Sequence, residues 1–439
     1  MRELAQSQLQ TPADEEIVYV GTRLTFEGEQ LFGLKAHDRR QHTYIIGKSG
    51  SGKTTALRNI LIQDLHANQG LALLDPHGDL ATDILEHIPP NRTGDVIYFN
   101  PSDRDHPISF NLFATTDTES RHLVASSIVT ALKSIWRDSW GPRLEYILFA
   151  AVAALLECQN TSLLGLPRLL IDGDYRDWVL RQVRDPVVRS FWIDEFAHYD
   201  SRFMREAISP VQNKIGQLLM SPGLRNILGQ VKSTVNIRYI MDHHKIFIAN
   251  LSKGTIGADK ANLLGALLVS QFQQASMGRA AAPEDRRPDF HLIIDEFQNF
   301  STDSVISILS ESRKYHLCLT LAHQYIDQLP AGVAEGVFGN VGTLMSFRVS
   351  EKDASILSRE FGGHYDLDLY STLDNHHVVV KLLSDGRYGE PFLATMLPPL
   401  STRYGRGANI IQRSRERYTA PRHVVEDKIE RWMRGTTKD

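Results

Sequence analysis

The residues Gly47-Lys48-Ser49-Gly50-Ser51-Gly52-Lys53-Thr54-Thr55 satisfy Gly-x4-Gly-Lys-Ser/Thr, a spacing whose chemistry is phosphate binding. Glycines let the backbone wrap closely around an anion, and successive N–H groups with a helix N-terminal dipole supply the positive field. In this pattern Lys53 reaches the β- and γ-phosphates of ATP and Thr54 ligates Mg2+. A plain glycine-rich turn is the alternative. The flanks favour the phosphate loop, because the apolar Tyr44-Ile45-Ile46 precedes it and the helix-like stretch from Ala56 to Ile62 follows.

A second constellation is Leu292-Ile293-Ile294-Asp295-Glu296, an apolar strand ending in two acids. Beside a phosphate loop, Asp295 would hold Mg2+ through its water shell and Glu296 would polarise the attacking water as general base. The competing reading is a strand whose exposed end happens to carry carboxylates. Gln324 closes the strand Leu317 to His323, either as a polar sensor of the γ-phosphate or as a buried structural amide. Arg313 and Lys314 end a helix, where cations meet the C-terminal dipole; Arg313 is alternatively an arginine finger for a neighbouring subunit's site.

Other candidates stay open. Asp75, His77 and Asp79 end a strand and could order water or metal, or simply form a hydrogen-bonded turn. The pairs His243-His244 and His376-His377 have no cysteines at metal spacing and read as solvated or structural. Arg413, Arg415, Arg417 and Arg422 make a basic tail segment, ordinarily a solvated face.

The elements that must position these groups follow from the hydrophobic pattern. Residues 1–40 carry a short leading hairpin, Ile17 to Val20 and Leu31 to Leu34. Strands at Tyr44 to Ile46, Gly70 to Asp75 and Val96 to Asn100 alternate with helical stretches, which predicts a mostly parallel, doubly wound α/β sheet covered on both faces. From 118 to 242 apolar residues recur at helical spacing and strands vanish, so an all-α domain is inserted there. It accounts for the long separation between Lys53 and Asp295. Pro167, Pro186, Pro210 and Pro222 are expected at breaks between its helices. The α/β pattern resumes over 243–400, so 41–117 and 243–400 form one nucleotide-binding domain and 401–439 a basic helical tail.

The chain has 439 residues, 42% hydrophobic and 23% charged, and suits a folded globular protein. A formal charge of −4 announces no global basic field, so a polyanion contact must be local. Cys158 and Cys318 sit among apolar neighbours and read as buried thiols. Neither a signal peptide nor a transmembrane segment is expected, which points to a cytoplasmic protein.

Together the phosphate loop, Leu74-Asp75-Pro76-His77-Gly78-Asp79, Ile294-Asp295-Glu296-Phe297-Gln298-Asn299-Phe300, Ser312-Arg313-Lys314-Tyr315 and Ala322-His323-Gln324 resemble the FtsK/HerA superfamily. Within it the chain is most similar to the cytosolic part of type IV secretion coupling proteins of conjugative DNA transfer. The resemblance implies a RecA-like P-loop ATPase, a homo-hexameric ring, and ATP-driven movement of DNA, double-stranded, through a central pore. It raises Arg313 as the trans finger and Gln324 as the sensor, and implies secretion or relaxosome-type protein partners. Lys133, Arg137 and Arg143 are candidates for a basic lining. Conjugation, another mobile element or defence are all compatible settings. The competing function is an ATP-driven protein-handling motor or substrate receptor of a secretion system; a third is a nucleotide-gated scaffold, against which Glu296 argues.

Overall fold

The computed structural model describes residues 17–114, 121–301 and 303–435. The first sixteen residues of the leading segment, the 118 boundary of the insertion and the last four residues of the tail lie outside the described residues, as does the side chain of Arg137.

Eleven strands form one sheet in the order β2-β1-β13-β10-β9-β3-β8-β7-β4-β6-β5. Seven of them run parallel: β9 (Thr343–Ser346), β3 (Thr43–Ile46), β8 (Leu317–His323), β7 (Phe290–Ile294), β4 (Gly70–Asp75), β6 (Ile246–Asn250) and β5 (Val96–Phe99). They are buried almost throughout, the few polar residues such as His291 and Thr320 included, because both faces are covered. The pleat still sorts them: Tyr44, Ala72, Leu74, Leu292 and Ile294 enter one core and Ile45, Leu71, Leu73 and Ile293 the other. The predicted leading hairpin, β1 (Ile17–Thr25) with β2 (Gly28–Lys35), is joined to this sheet through antiparallel β13 (Phe392–Met396) and β10 (His377–Lys381). The doubly wound α/β reading holds, with an antiparallel extension at one end.

Between β5 and β6 every described element from Arg121 to Asp242 is helical, as expected. The insertion is not a separate body, however. Its first helix, α3 (Arg121–Ile135), packs on the motor helix α12 (Ala258–Met277), and one hydrophobic core runs from the insertion to the sheet. Its entry and exit are stitched together at Asn111, whose Nδ2 donates to the carbonyls of Thr161 at 2.9 Å and Val231 at 2.6 Å. Pro186 and Pro222 open helices as predicted. Pro210 does not mark a break: it lies inside α8 (Ser201–Met220), which begins at an Asp200 cap. The apolar face of Ala207, Val211, Ile215 and Leu218 holds that helix through the proline, at the cost of the hydrogen bond its missing N–H cannot make.

The basic tail forms α17 (Gly407–Tyr418) and α18 (Arg422–Gly435). Ser414 Oγ accepts from Tyr98 N at 2.8 Å, on the open side of edge strand β5, a device that blunts an exposed edge. Arg415 pairs with Asp103, Arg417 donates to Gly94 O, and Arg422 pairs with Glu426, so these cations are used internally. Trp432 Nε1 donates to Asn160 O in the insertion. Both cysteines are buried and unpaired, and no described helix is long and apolar enough to cross a membrane.

Candidate nucleotide site

Strand β3 is only four residues long and ends at Gly47, where the chain turns into α1 (Lys53–His66). Gly50 and Gly52 have φ of +76° and +122°, conformations costly for a side chain, and a Cβ on Gly52 would lie 3.0 Å from His376 Nδ1. The loop is held from outside. Gly47 N donates to His323 O, Lys48 N to Arg348 O at 2.8 Å, and His376 N donates to Ser51 O at 2.9 Å. The N–H groups of Ser49, Gly50 and Gly52 have no acceptor among the described residues, and the buried Ser51 Oγ has none either. That is the donor cradle a phosphate needs.

Lys53 is buried, its Nζ 2.5 Å from Gly47 O and 3.1 Å from Lys48 O, and burial lowers its pKa against the raising effect of Glu296 and Asp295. Thr54 is exposed one residue on. Asp295 and Glu296 close β7, two strands from the phosphate loop with β8 between. Burial, then the charges of Asp75 and Glu296, push the Asp295 carboxyl up to about 7. A buried carboxylate among like charges offers the hard oxygen ligand that Mg2+ takes, and the ion would relieve the repulsion.

Glu296 is 6% exposed and takes a left-handed backbone, φ 47°. Gln324 Nε2 donates to its Oε1 at 2.6 Å and Gln298 Nε2 to its Oε2 at 2.8 Å. Gln324 leaves β8 immediately after His323, whose carbonyl receives Gly47 N, so one strand end touches both the phosphate loop and the acid. Burial lowers the His323 pKa to about 3, and its Nδ1 meets Tyr44 Oη at 2.9 Å. Asn299 Nδ2 donates to Glu296 O at 2.7 Å, and Lys253 donates to Asn299 Oδ1.

Two known-protein comparisons agree with this geometry. The family described as the type IV secretion-system coupling protein DNA-binding domain matches residues 32–219, and that described as the TraM recognition site of TraD and TraG matches 289–377. The two spans together exceed half of the chain. The chain is type IV secretion coupling protein-like. Like its solved relatives it has the RecA-like P-loop fold: the unbound bacterial conjugative coupling protein TrwBdeltaN70 superposes with a TM-score of 0.66 at 14% identity, covering 92% of this chain and 93% of that one. TrwB in complex with the ATP analogue ADPNP gives 0.63 at 14%, covering 90% and 97%. VirB4 of Thermoanaerobacter pseudethanolicus gives 0.56 at 12%, covering 91% and 100%. No curated protein matches by sequence.

In this coupling-protein-like chain the structure gathers Gly47 to Thr55, Asp295, Glu296 and Gln324 at the carboxyl ends of adjacent strands, where ligands of such sheets bind. Arg313 is not among them. It is exposed just before β8, at the opposite edge of the sheet, with the seven residues of β8, about 20 Å, in between. Asp75 forms the hydrogen-bonded turn: it accepts from His77 N and Ala81 N. Among the described residues the only group set closely enough for a metal is His37, Asp38 and Asp385, and Lys35 already pairs with Asp385. His243 stacks on Tyr239 and is structural. Of the candidate lining cations, Lys133 pairs with Glu145 and Arg143 lies over Phe203.

Sequence reasoning gave Arg348, His376, Gln298 and Lys253 no role of their own at this site. The first two act through backbone groups, which leave no side-chain signal. Lys253 follows the end of β6, so it becomes a candidate once β6 is placed beside β4.

Proposed function

We propose that this chain is an ATP-hydrolysing motor for DNA transfer, acting as an oligomeric ring, double-stranded DNA its cargo. The observation that carries it is Glu296, buried, with both carboxylate oxygens accepting from neutral amides at the edge of a phosphate loop. Two amide donors fix the direction of the acid without changing its charge, which suits a base that aligns water. When bound, Mg2+ would neutralise charge on the β- and γ-phosphates, held by Thr54 and Asp295. Lys53 exchanges the Gly47 and Lys48 carbonyls for phosphate oxygens, and the free N–H groups of Ser49, Gly50 and Gly52 receive the rest. Gln324, bonded to Glu296 and following the strand that braces Gly47, would report the state of the γ-phosphate. Arg313, too far to serve its own site, would complete a neighbour's, which makes a ring such as a hexamer part of the chemistry. The test is ATP turnover with and without double-stranded DNA at low salt, where phosphate contacts are strongest; no stimulation rejects the DNA reading.

The match of residues 289–377 to a TraM recognition site supports a relaxosome-type protein partner as well. A protein-handling motor is the second reading, favoured by the charge of −4. It predicts turnover stimulated by a polypeptide partner and indifferent to DNA.

A further inference from the structure

A cleft of about 220 Å³ opens where the motor, the insertion and the tail meet. Its walls are the loop after β5, the start of α9 (Pro222–Leu228), the start of α12 with α11 (Lys253–Ile256) before it, and the first residue of α18. Pockets that enclose drug-sized ligands run from about 300 Å³ upward, so this one takes a single small group.

Its chemistry is cationic. Arg104, Lys260 and Arg422 face one lining carboxylate, Asp103, which Arg415 neutralises from outside. Arg104 and Lys260 have no ion-pair partner among the described residues. Asn226, 3% exposed, also lines the cleft; its Nδ2 donates to Glu426, while its buried Oδ1 has no partner. A site with spare cations and one unused acceptor suits a phosphate that carries a hydrogen-bond donor beside it, as a base amino group or bound water does in nucleic acid.

The cleft is also wired to the nucleotide site. Thr255 and Ile256 of α11 form part of its wall, while Lys253, at the other end of that four-residue helix, reaches Asn299, which is bonded to Glu296 O. The same segment is tied to the turn after β4, through Leu251 N to Asp75 O and Lys253 N to Pro76 O.

We propose that this cleft binds a backbone phosphate of the DNA cargo through Arg104 and Lys260, and that α11 passes its occupancy to Glu296 through Lys253 and Asn299. The proposal rests on the DNA-motor reading and names where cargo is sensed.

The experiment measures binding of a labelled double-stranded oligonucleotide across a salt series without ATP. The Arg104→Glu/Lys260→Glu variant, with melting temperature as the folding check, is expected to bind more weakly with a log–log salt slope shallower by about 0.9, one phosphate contact's worth. Lys260→Gln alone should lose about half of that. Lys253→Gln is expected to keep the wild-type slope while the ratio of turnover with DNA to turnover without it falls toward one. An unchanged slope in the double variant overturns the site, as does an equal loss in Arg413→Glu/Lys428→Glu, which would mean net charge alone. An unchanged stimulation ratio in Lys253→Gln overturns the relay. If inorganic phosphate protects the wild type but not the double variant against melting while both bind DNA equally, the cleft is a free-anion site and the cargo assignment falls. Wild type that binds no DNA at low salt overturns the motor reading itself, a result distinct from all of these.

Discussion

Gln324 Nε2 lies 2.6 Å from Glu296 Oε1, while Gln298 Nε2 occupies the other oxygen at 2.8 Å. Both donors fit a carboxylate and neither fits an amide NH2. Glu296→Gln removes the base and leaves one glutamine facing a donor, so turnover should fall by about 10²–10⁴ with nucleotide binding retained. Gln324→Ala, which frees one oxygen, should cost less, on the order of tenfold. Single-turnover hydrolysis beside fluorescent-nucleotide binding decides this; a Glu296→Gln variant that hydrolyses at close to the wild-type rate removes Glu296 from the mechanism.

Asp295 gives a pH dependence of defined sign. Its carboxyl titrates near 4 when unfolded and at about 7 in the fold. Between these values the folded chain holds a proton that the unfolded chain has lost, so without metal, stability decreases as pH rises through that window. Above about 7 the ionised carboxylate is available to metal, so Mg2+ affinity should climb with pH and level off there. Denaturant melts in chelator at pH 5 and pH 8 test the first part, with Asp295→Asn as the variant in which the difference shrinks. A wild type more stable at pH 8 than Asp295→Asn contradicts the raised pKa.

Arg313, across the sheet from its own Glu296, makes a mixing experiment decisive. Arg313→Ala alone should lose about 10³–10⁵ in turnover, as Glu296→Gln does for a different reason. Mixed, the Arg313→Ala subunits keep an intact base and receive Arg313 from a Glu296→Gln neighbour, so activity should return. Co-assembly without any recovery would mean that Arg313 does not serve a partner.

Much of this was legible in the sequence, and for physical reasons. The phosphate loop, Asp295-Glu296 and Gln324 stand at strand ends, and a buried parallel strand announces itself as an apolar run. The insertion was legible as helical because its apolar residues recur every third or fourth position. What escaped was set by pairing across long separations. The hairpin of residues 17–35 was readable, but its union with β13 near residue 395 was not. Pro210 argued locally for a break, and tertiary packing of α8 overrode it. Arg415 and Arg417 looked solvated because Asp103 and Gly94 become their neighbours only in the fold.

Asn111 is the stability test. It is buried, and its side-chain amide satisfies Thr161 O and Val231 O, two carbonyls from segments fifty and more residues away. Asn111→Ala leaves both unpaired in a closed space, at a cost of about 1–3 kcal/mol. A lower melting temperature with the phosphate loop still competent for nucleotide is expected. An unchanged melt would show that water replaces the amide freely.

The core that runs unbroken from the insertion to the sheet has a consequence for how such a chain can be remodelled. A domain that closes on its own core can be traded between proteins as a cassette. Here, removing residues 118–242 would strip the covering from α12 and open the core that it shares with the sheet. The helical region is thus part of the engine block. New cargo preference has to arise by rewriting its outward positions one at a time, while the face that meets α12 stays fixed.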